Sequence, residues 1–416
     1  MTATIPATGE ATEKSRNYRH GRSTFQINNR LPSRSSLAVV FAWPALVYLC
    51  GFSYFRGYDV AFLAFILISS AISAHFAKYV GFTRRYSTYL GWASLLFFLS
   101  LIKLMPDAWT LHREPFAAFR HYVVIPALPF LITAFLVLIR RYEELIVRYS
   151  AAFLILTIIV TRLSIFSGVH DNQEISIYLF SNENFIVCTL FAVFLFRIRR
   201  SLLIDSCLLT LFFFACTSQQ SQIFGLAMFA IRVVRQPQLV AMAALVGTGT
   251  FVAVAPFAVE TLHAIDHNTG VRALLWRDAL QAVIQTLGLG VGFGTEYIKN
   301  DFSDIMYPGW TFVSPQDTLY VGTHSAYFDI LLRTGVVGLV LLMFWYLPSL
   351  RKPSSPLISD QRFGAAIATM ICITASVDMA LTSLNYLFGC ALGFAILHHL
   401  RSGTTLLGAS RPKRDP

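Results

Sequence analysis

Charge is scarce in this chain: only 13% of its 416 residues are Asp, Glu, Lys or Arg, and no polar stretch is long enough to form a soluble domain of ordinary size. Metal-ligand patterns are scarce too. Asp-x-Asp, the pattern that usually holds the metal of a nucleotide-sugar enzyme, occurs nowhere, and no His-Glu-x-x-His is present. The six cysteines, Cys50, Cys188, Cys207, Cys216, Cys372 and Cys390, form no Cys-x-x-Cys pair and all fall in apolar runs. They read as small buried hydrophobes, which leaves no disulfide framework.

What fills the chain is hydrocarbon. Hydrophobic residues make up 55% of it, with 36 Phe, and mean hydropathy is +0.59, far outside the range of a soluble domain. Membrane about 30 Å thick takes roughly 20 apolar residues per helical crossing. Apolar runs bounded by charge predict an all-α, polytopic membrane protein of about 12 transmembrane helices, near 36–55, 59–77, 88–105, 122–139, 150–168, 179–196, 201–217, 222–234, 237–258, 326–348, 363–381 and 383–400. The division is a basic, disordered tail at 1–35, spans one to nine at 36–258, a long loop at 259–325, spans ten to twelve at 326–400, and a second basic tail at 401–416. The first apolar run lacks a small-residue cleavage site, so it reads as an anchor.

Most of the 33 basic residues lie in the two tails and in alternate connections, such as 140–148, 197–200 and 351–362. The positive-inside bias then puts both termini in the cytoplasm and the 259–325 loop on the outer face. The net charge of +11 is accounted for by anchoring beside anionic lipid, and nucleic acid is excluded as a partner because no soluble basic face exists to hold it.

The outer loop holds the residues suited to chemistry. Apolar positions between Val271 and Thr286 recur at three and four, with Arg272, Trp276, Arg277, Gln281 and Gln285 elsewhere on the wheel, which predicts an amphipathic helix at the membrane surface. Its two arginines have two readings: contacts to lipid head groups, or bidentate grips on a diphosphate, for which a guanidinium is better shaped than an ammonium. Gly288, Gly290, Gly292 and Gly294 alternate in "GLGVGFG" without a Walker lysine, so a nucleotide loop is excluded. They imply a sharp turn with close approach of a bulky ligand or another helix. His324, just before the chain re-enters its apolar run, is either a structural residue at a helix start or a neutral imidazole able to take a proton as a general base. In "HAIDH", His263 and His267 are spaced to chelate a metal, but with no third strong ligand they read as interfacial polar residues. Arg162, in the outer third of the fifth run, is costly enough at that depth to be a functional candidate, its alternative being an ion pair with Asp171, Glu174 or Glu183; Lys103 and Asp378 lie at similar depth.

Taken in order, R-x-x-x-W at Arg272–Trp276, "GLGVGFG" and "THSAYFDILLRTGVVGL" from Thr323 to Leu339 resemble the signature of the O-antigen ligase and polysaccharide polymerase family. The motifs cover about 70 residues, whereas the hydropathy layout is similar over nearly the whole chain. The resemblance implies a bacterial inner-membrane glycosyltransferase, multi-pass and without cofactor or metal. Its donor would be an undecaprenyl-diphosphate-linked oligosaccharide and its partners a glycan acceptor, membrane lipids, a flippase and a chain-length regulator. It assigns His324 to activation of the acceptor hydroxyl and Arg272 to the donor diphosphate; Arg277 is added from spacing, and Trp276 as a support for the lipid-proximal sugars. Where family members often carry Ser-Arg, this chain reads "TSQQSQ" from Thr217 to Gln222. Gln219 or Gln222 then substitutes as a neutral donor, or another cation, with Arg162 and Lys103 the candidates, does that work. The resemblance leans toward a polymerase joining repeat units, the alternatives being a ligase onto lipid A core and, more distantly, a polysaccharide or lipid transporter.

Overall fold

The computed structural model describes residues 201–215, 219–292, 297, 322–351, 353, 357–377 and 384–401, with isolated helical positions between 95 and 196. The expected spans one to six, and with them Arg162 and Lys103, otherwise lie outside the described residues.

Every described element is helical. In chain order these are α1 (Leu202–Ala215), α2 (Gln219–Val233), α3 (Gln238–Val254) with a 3-10 turn at Ala255–Phe257, α4 (Val259–Ile265), α5 (His267–Gln285), α6 (Ala326–Ser349), α7 (Ile358–Val377) and α8 (Leu384–Arg401). Boundaries fall within a few residues of the apolar runs. The start of α2 was expected at 222 and lies at Gln219; polar Gln220 belongs to the helix because its Nε2 donates to Thr374 Oγ1 of α7 at 2.7 Å, satisfying both groups inside the bundle.

The centre of the bundle is α7, buried from Phe363 to Ser376 on all sides. Gly364, Ala365, Ala366, Ala368 and Ala375 keep its surface thin, so that α2, α3, α6 and α8 pack close around it. A Cβ on Gly364 would lie 2.5 Å from Pro353 and 3.4 Å from Leu400. By contrast α1, α2 and α3 leave Leu203, Leu211, Leu226, Leu239 and Val246 more than half exposed, the profile of helices that face lipid. Cys207 is exposed on this side while Cys372 and Cys390 are buried, so the expectation of burial fails for Cys207, which lies on an outward face of α1.

The two ends of the bundle differ chemically. At one end the start of α1 and the finish of α2 are joined by Arg232 Nε donating to Asp205 Oδ2 at 2.7 Å. There too Gln238 Nε2 donates to the Gln361 carbonyl, and the Arg401 guanidinium to that of Arg351 at 3.0 and 3.2 Å. This is the basic end, gathering Arg232, Arg235, Arg351, Arg362 and Arg401. The opposite end carries α4, α5 and His324.

Gln238–Phe257 and Ala326–Phe344 are, among the described residues, the two stretches long and apolar enough to cross a membrane by length and composition. The second does not run straight. Gly335 has φ 74° and ψ −170°, non-helical values inside α6. Nineteen residues of straight helix would separate Tyr327 from Tyr346 by about 28 Å, yet their hydroxyls are 3.1 Å apart and their rings 5.9 Å. Helix α6 therefore doubles back at Gly335 into arms 326–334 and 336–349, about 13 and 21 Å long, each shorter than a crossing of about 30 Å. The span expected at 326–348 is therefore sharply bent at Gly335 and not one straight helix, and hydropathy could not reveal the bend because both arms are apolar.

Candidate functional site

Helix α5 starts sharply. Asp266, with extended backbone, caps it by accepting from Thr269 N at 2.8 Å and from the Thr269 hydroxyl. These bonds, the hydroxyl first, hold the Asp266 carboxyl below its ordinary range, with a smaller contribution from Arg272. Glycine at 270 lets α5 press against α4, since a Cβ there would meet the His263 Cα at 2.5 Å. The two histidines of "HAIDH" thus sit on different helices, rings 4.8 Å apart, and among the described residues no group of three metal-ligating side chains forms.

The predicted helix forms, and it is clamped by its neighbours over most of its circumference. Leu274, Leu275, Trp276, Asp278, Ala279, Ala282 and Val283 are all buried, because α5 is held between the α3–α4 elbow and α6. Trp276, placed by the sequence off the apolar face, is 1% exposed. It stacks on Phe328 of α6 at 5.7 Å and meets Phe251 of α3 edge-on at 5.9 Å. Its Nε1 donates to the Thr323 carbonyl at 2.6 Å.

That bond fixes the residue before His324. Thr323 N donates to Asp329 Oδ1 at 2.7 Å, and the Thr323 hydroxyl proton is shared between Asp329 Oδ1 at 2.8 Å and the Ser325 carbonyl at 2.9 Å. Held on both sides, His324 adopts φ +54°, a left-handed conformation that costs a non-glycine residue roughly 1 kcal/mol. The imidazole is partly buried, and that burial, followed by the nearby Arg272 charge, lowers its pKa to about 4. It is neutral at pH 7.

The glycine motif closes the other end of the α5–α6 contact. Leu287, Gly288, Gly290 and Gly292 all have positive φ, and the loop docks on the bend of α6. Val291 N donates to the Leu332 carbonyl at 2.7 Å, Gly292 N to that of Arg333 at 3.1 Å, and Val336 N to that of Gly288 at 2.9 Å. The loop thereby takes over backbone bonds that the helix loses by bending. Of the two uses expected for these glycines, close approach of a helix is the one seen: a Cβ on Gly290 would lie 2.5 Å from Gly335 N, and one on Gly335 would run into the Gly288 carbonyl.

Four polar residues that the sequence reading left out of the site lie beside it. Asp278 is fully buried, and Tyr297, 2% exposed, has its ring under the Arg333 guanidinium at 5.6 Å. Burial, then the Asp329 carboxylate, pushes the Tyr297 phenol well up, against the pull of Arg333. Arg333 Nη1 donates to the Gly292 carbonyl at 3.1 Å. Their signal in the sequence was charge within otherwise apolar helical repeats, at Asp278, Asp329 and Arg333; Tyr297 had none.

Of the residues named from sequence, the structure brings Arg272, Trp276 and His324 together. Arg277, partly exposed, is about 140° around α5 from Arg272, on a different side of the helix. Gln219 opens α2 and Gln222 lies one turn in, partly buried; α2 packs on α1, α3 and α7. Arg162 and Lys103 lie outside the described residues.

A family model described as O-antigen ligase matches residues 176–343, a range that includes α1 to α5, the glycine loop, His324 and the bend of α6. No curated protein matches the chain.

Proposed function

Because the chain carries an O-antigen ligase family domain over residues 176–343, and so a membrane enzyme's glycosyl-transfer type of function, we propose that it is a bacterial inner-membrane polysaccharide polymerase. In this reading it joins undecaprenyl-diphosphate-linked repeat units on the periplasmic side. The basic end of the bundle faces the cytoplasm, as the positive-inside bias requires, and the His324 end faces out.

The observation that carries the reading is the convergence of Arg272 and His324. Trp276, one turn from Arg272, holds the peptide next to His324, and the charge of Arg272 is felt by the imidazole. An anomeric carbon bonded to diphosphate has a good leaving group, so the protein's tasks are to stabilise departing charge and to remove a proton. His324 takes the proton from the acceptor hydroxyl; the hydroxyl oxygen bonds to the anomeric carbon from the face opposite the diphosphate; the carbon–oxygen bond to diphosphate breaks. The diphosphate leaves with its charge met by Arg272. Arg162 and Lys103 are the further cations for the diphosphate, with Gln219 or Gln222 as a neutral donor where relatives carry arginine; Arg277, on a different side of α5 from Arg272, is not assigned to it. The step inverts the anomeric centre and needs no metal. Burial is the main cause of the lowered His324 pKa, and a diphosphate on Arg272 offsets only the smaller contribution of the Arg272 charge.

Purified protein in lipid nanodiscs, supplied only with lipid-linked repeat units, builds a ladder of products with inverted linkages by NMR. A single unextended species refutes polymerisation, and if adding lipid A core then yields transfer the ligase reading takes its place, the reading favoured by the matched family's description.

A further inference from the structure

His324 has, among the described residues, no carboxylate partner to orient its ring, so its placement falls to the backbone. Thr323 is the lever. Its N–H and its hydroxyl both point to Asp329 Oδ1, at 2.7 and 2.8 Å, its carbonyl receives Trp276 Nε1 at 2.6 Å, and the next residue is His324 at φ +54°. Asp329 is 6% exposed and lies one turn into α6. A buried carboxylate that accepts two hydrogen bonds from the residue adjoining the imidazole fixes the rotation of that peptide. Without it, Thr323 N loses its acceptor and His324 is released toward the ordinary negative-φ region.

We propose that Asp329 is a positioning residue for transfer, clamping Thr323 so that His324 keeps the left-handed backbone that presents its imidazole beside Arg272. This rests on the reading of His324 as the base. Both Thr323 donors are neutral and meet one carboxylate oxygen, so the clamp itself calls for an acceptor at that point.

The test compares Asp329→Ala and Asp329→Asn in the full-length protein, with His324→Ala as reference. Asp329→Asn keeps the acceptor and retains kcat within about threefold. Asp329→Ala lowers kcat about 100-fold, the cost of misplacing a reacting group by about 1 Å, with KM for the lipid-linked donor little changed. A readout independent of turnover is carbethoxylation of His324 by diethyl pyrocarbonate, followed by mass spectrometry: severalfold faster in Asp329→Ala, unchanged in Asp329→Asn. Should Asp329→Ala fail to fold, Thr323→Val deletes one donor without changing shape and lowers kcat about tenfold. Wild-type kcat in Asp329→Ala, or in Thr323→Val where it must stand in, overturns the proposal. So does a loss in Asp329→Asn equal to that in Asp329→Ala, which would make the charge itself the requirement. Wild-type transfer by His324→Ala overturns instead the reading of the base, and the reactivity of His324 then decides the hold of Asp329 on the loop.

Discussion

Replacing Gly335 by alanine attacks the joint on which the site's geometry rests. Two penalties follow from the structure. At φ 74° and ψ −170° the backbone is in a region that only glycine occupies readily, costing about 2 kcal/mol for any other residue. The new methyl would also meet backbone that has no rotamer to escape into: the Gly288 carbonyl oxygen and, at 2.5 and 2.6 Å, the Leu289 carbonyl group. Overpacking of this kind costs about 2 kcal/mol more. A local loss near 4 kcal/mol corresponds to roughly a thousandfold shift in opening. Hydrogen exchange followed by mass spectrometry on the protein in nanodiscs therefore shows the amides of Val291, Gly292 and Val336, which bridge loop and bend, exchanging several hundredfold faster or more. Gly249→Ala is the control, because nothing lies within 4 Å of its Cβ position and the residue is mid-helix in α3; it stabilises by about 0.5–1 kcal/mol. Unchanged exchange at those three amides in Gly335→Ala would refute the interlock.

Two further outcomes are expected. Arg232→Ala leaves the Asp205 carboxylate, 1% exposed, without its ion pair, a loss of about 3–5 kcal/mol that Asp205→Asn in the same chain largely relieves; a thermal midpoint within a degree of wild type for Arg232→Ala would contradict it. The acid limb of kcat/KM is displaced downward, since a histidine whose pKa lies at about 4 instead of 6.5 keeps its base form as pH falls and is protonated only through about 4. Activity thus holds from pH 8 to about 5.5, and half-loss near pH 6.5 would show the imidazole to be unperturbed.

Hydropathy alone placed α1 to α3, α7 and α8 to within about a turn and a half, because each is a continuous apolar run set off by polar residues, charge or proline. It failed where polarity is satisfied internally: Gln220 looked like loop but is paired to Thr374. It failed again where conformation, not composition, changes, as at Gly335. The glycine alternation announced a close approach without naming which partner comes near. In the candidate site, Arg272, Trp276 and His324 were singled out by motif. Asp278 and Arg333 stood out only as charge in apolar repeats, and their surroundings were not legible because they depend on neighbours far away in sequence: Arg333 reaches Tyr297 and Gly292 across 36 and 41 residues.

The central claim is that Arg272 and His324 divide one transfer reaction between them, and donor affinity measured alongside transfer rate separates their roles. With purified His324→Ala and Arg272→Ala proteins and a lipid-linked repeat unit as probe, His324→Ala binds the donor with wild-type affinity and loses transfer by at least about 100-fold, while Arg272→Ala loses affinity and rate together. Transfer at the wild-type rate by His324→Ala, or undiminished donor affinity in Arg272→Ala, would contradict the account.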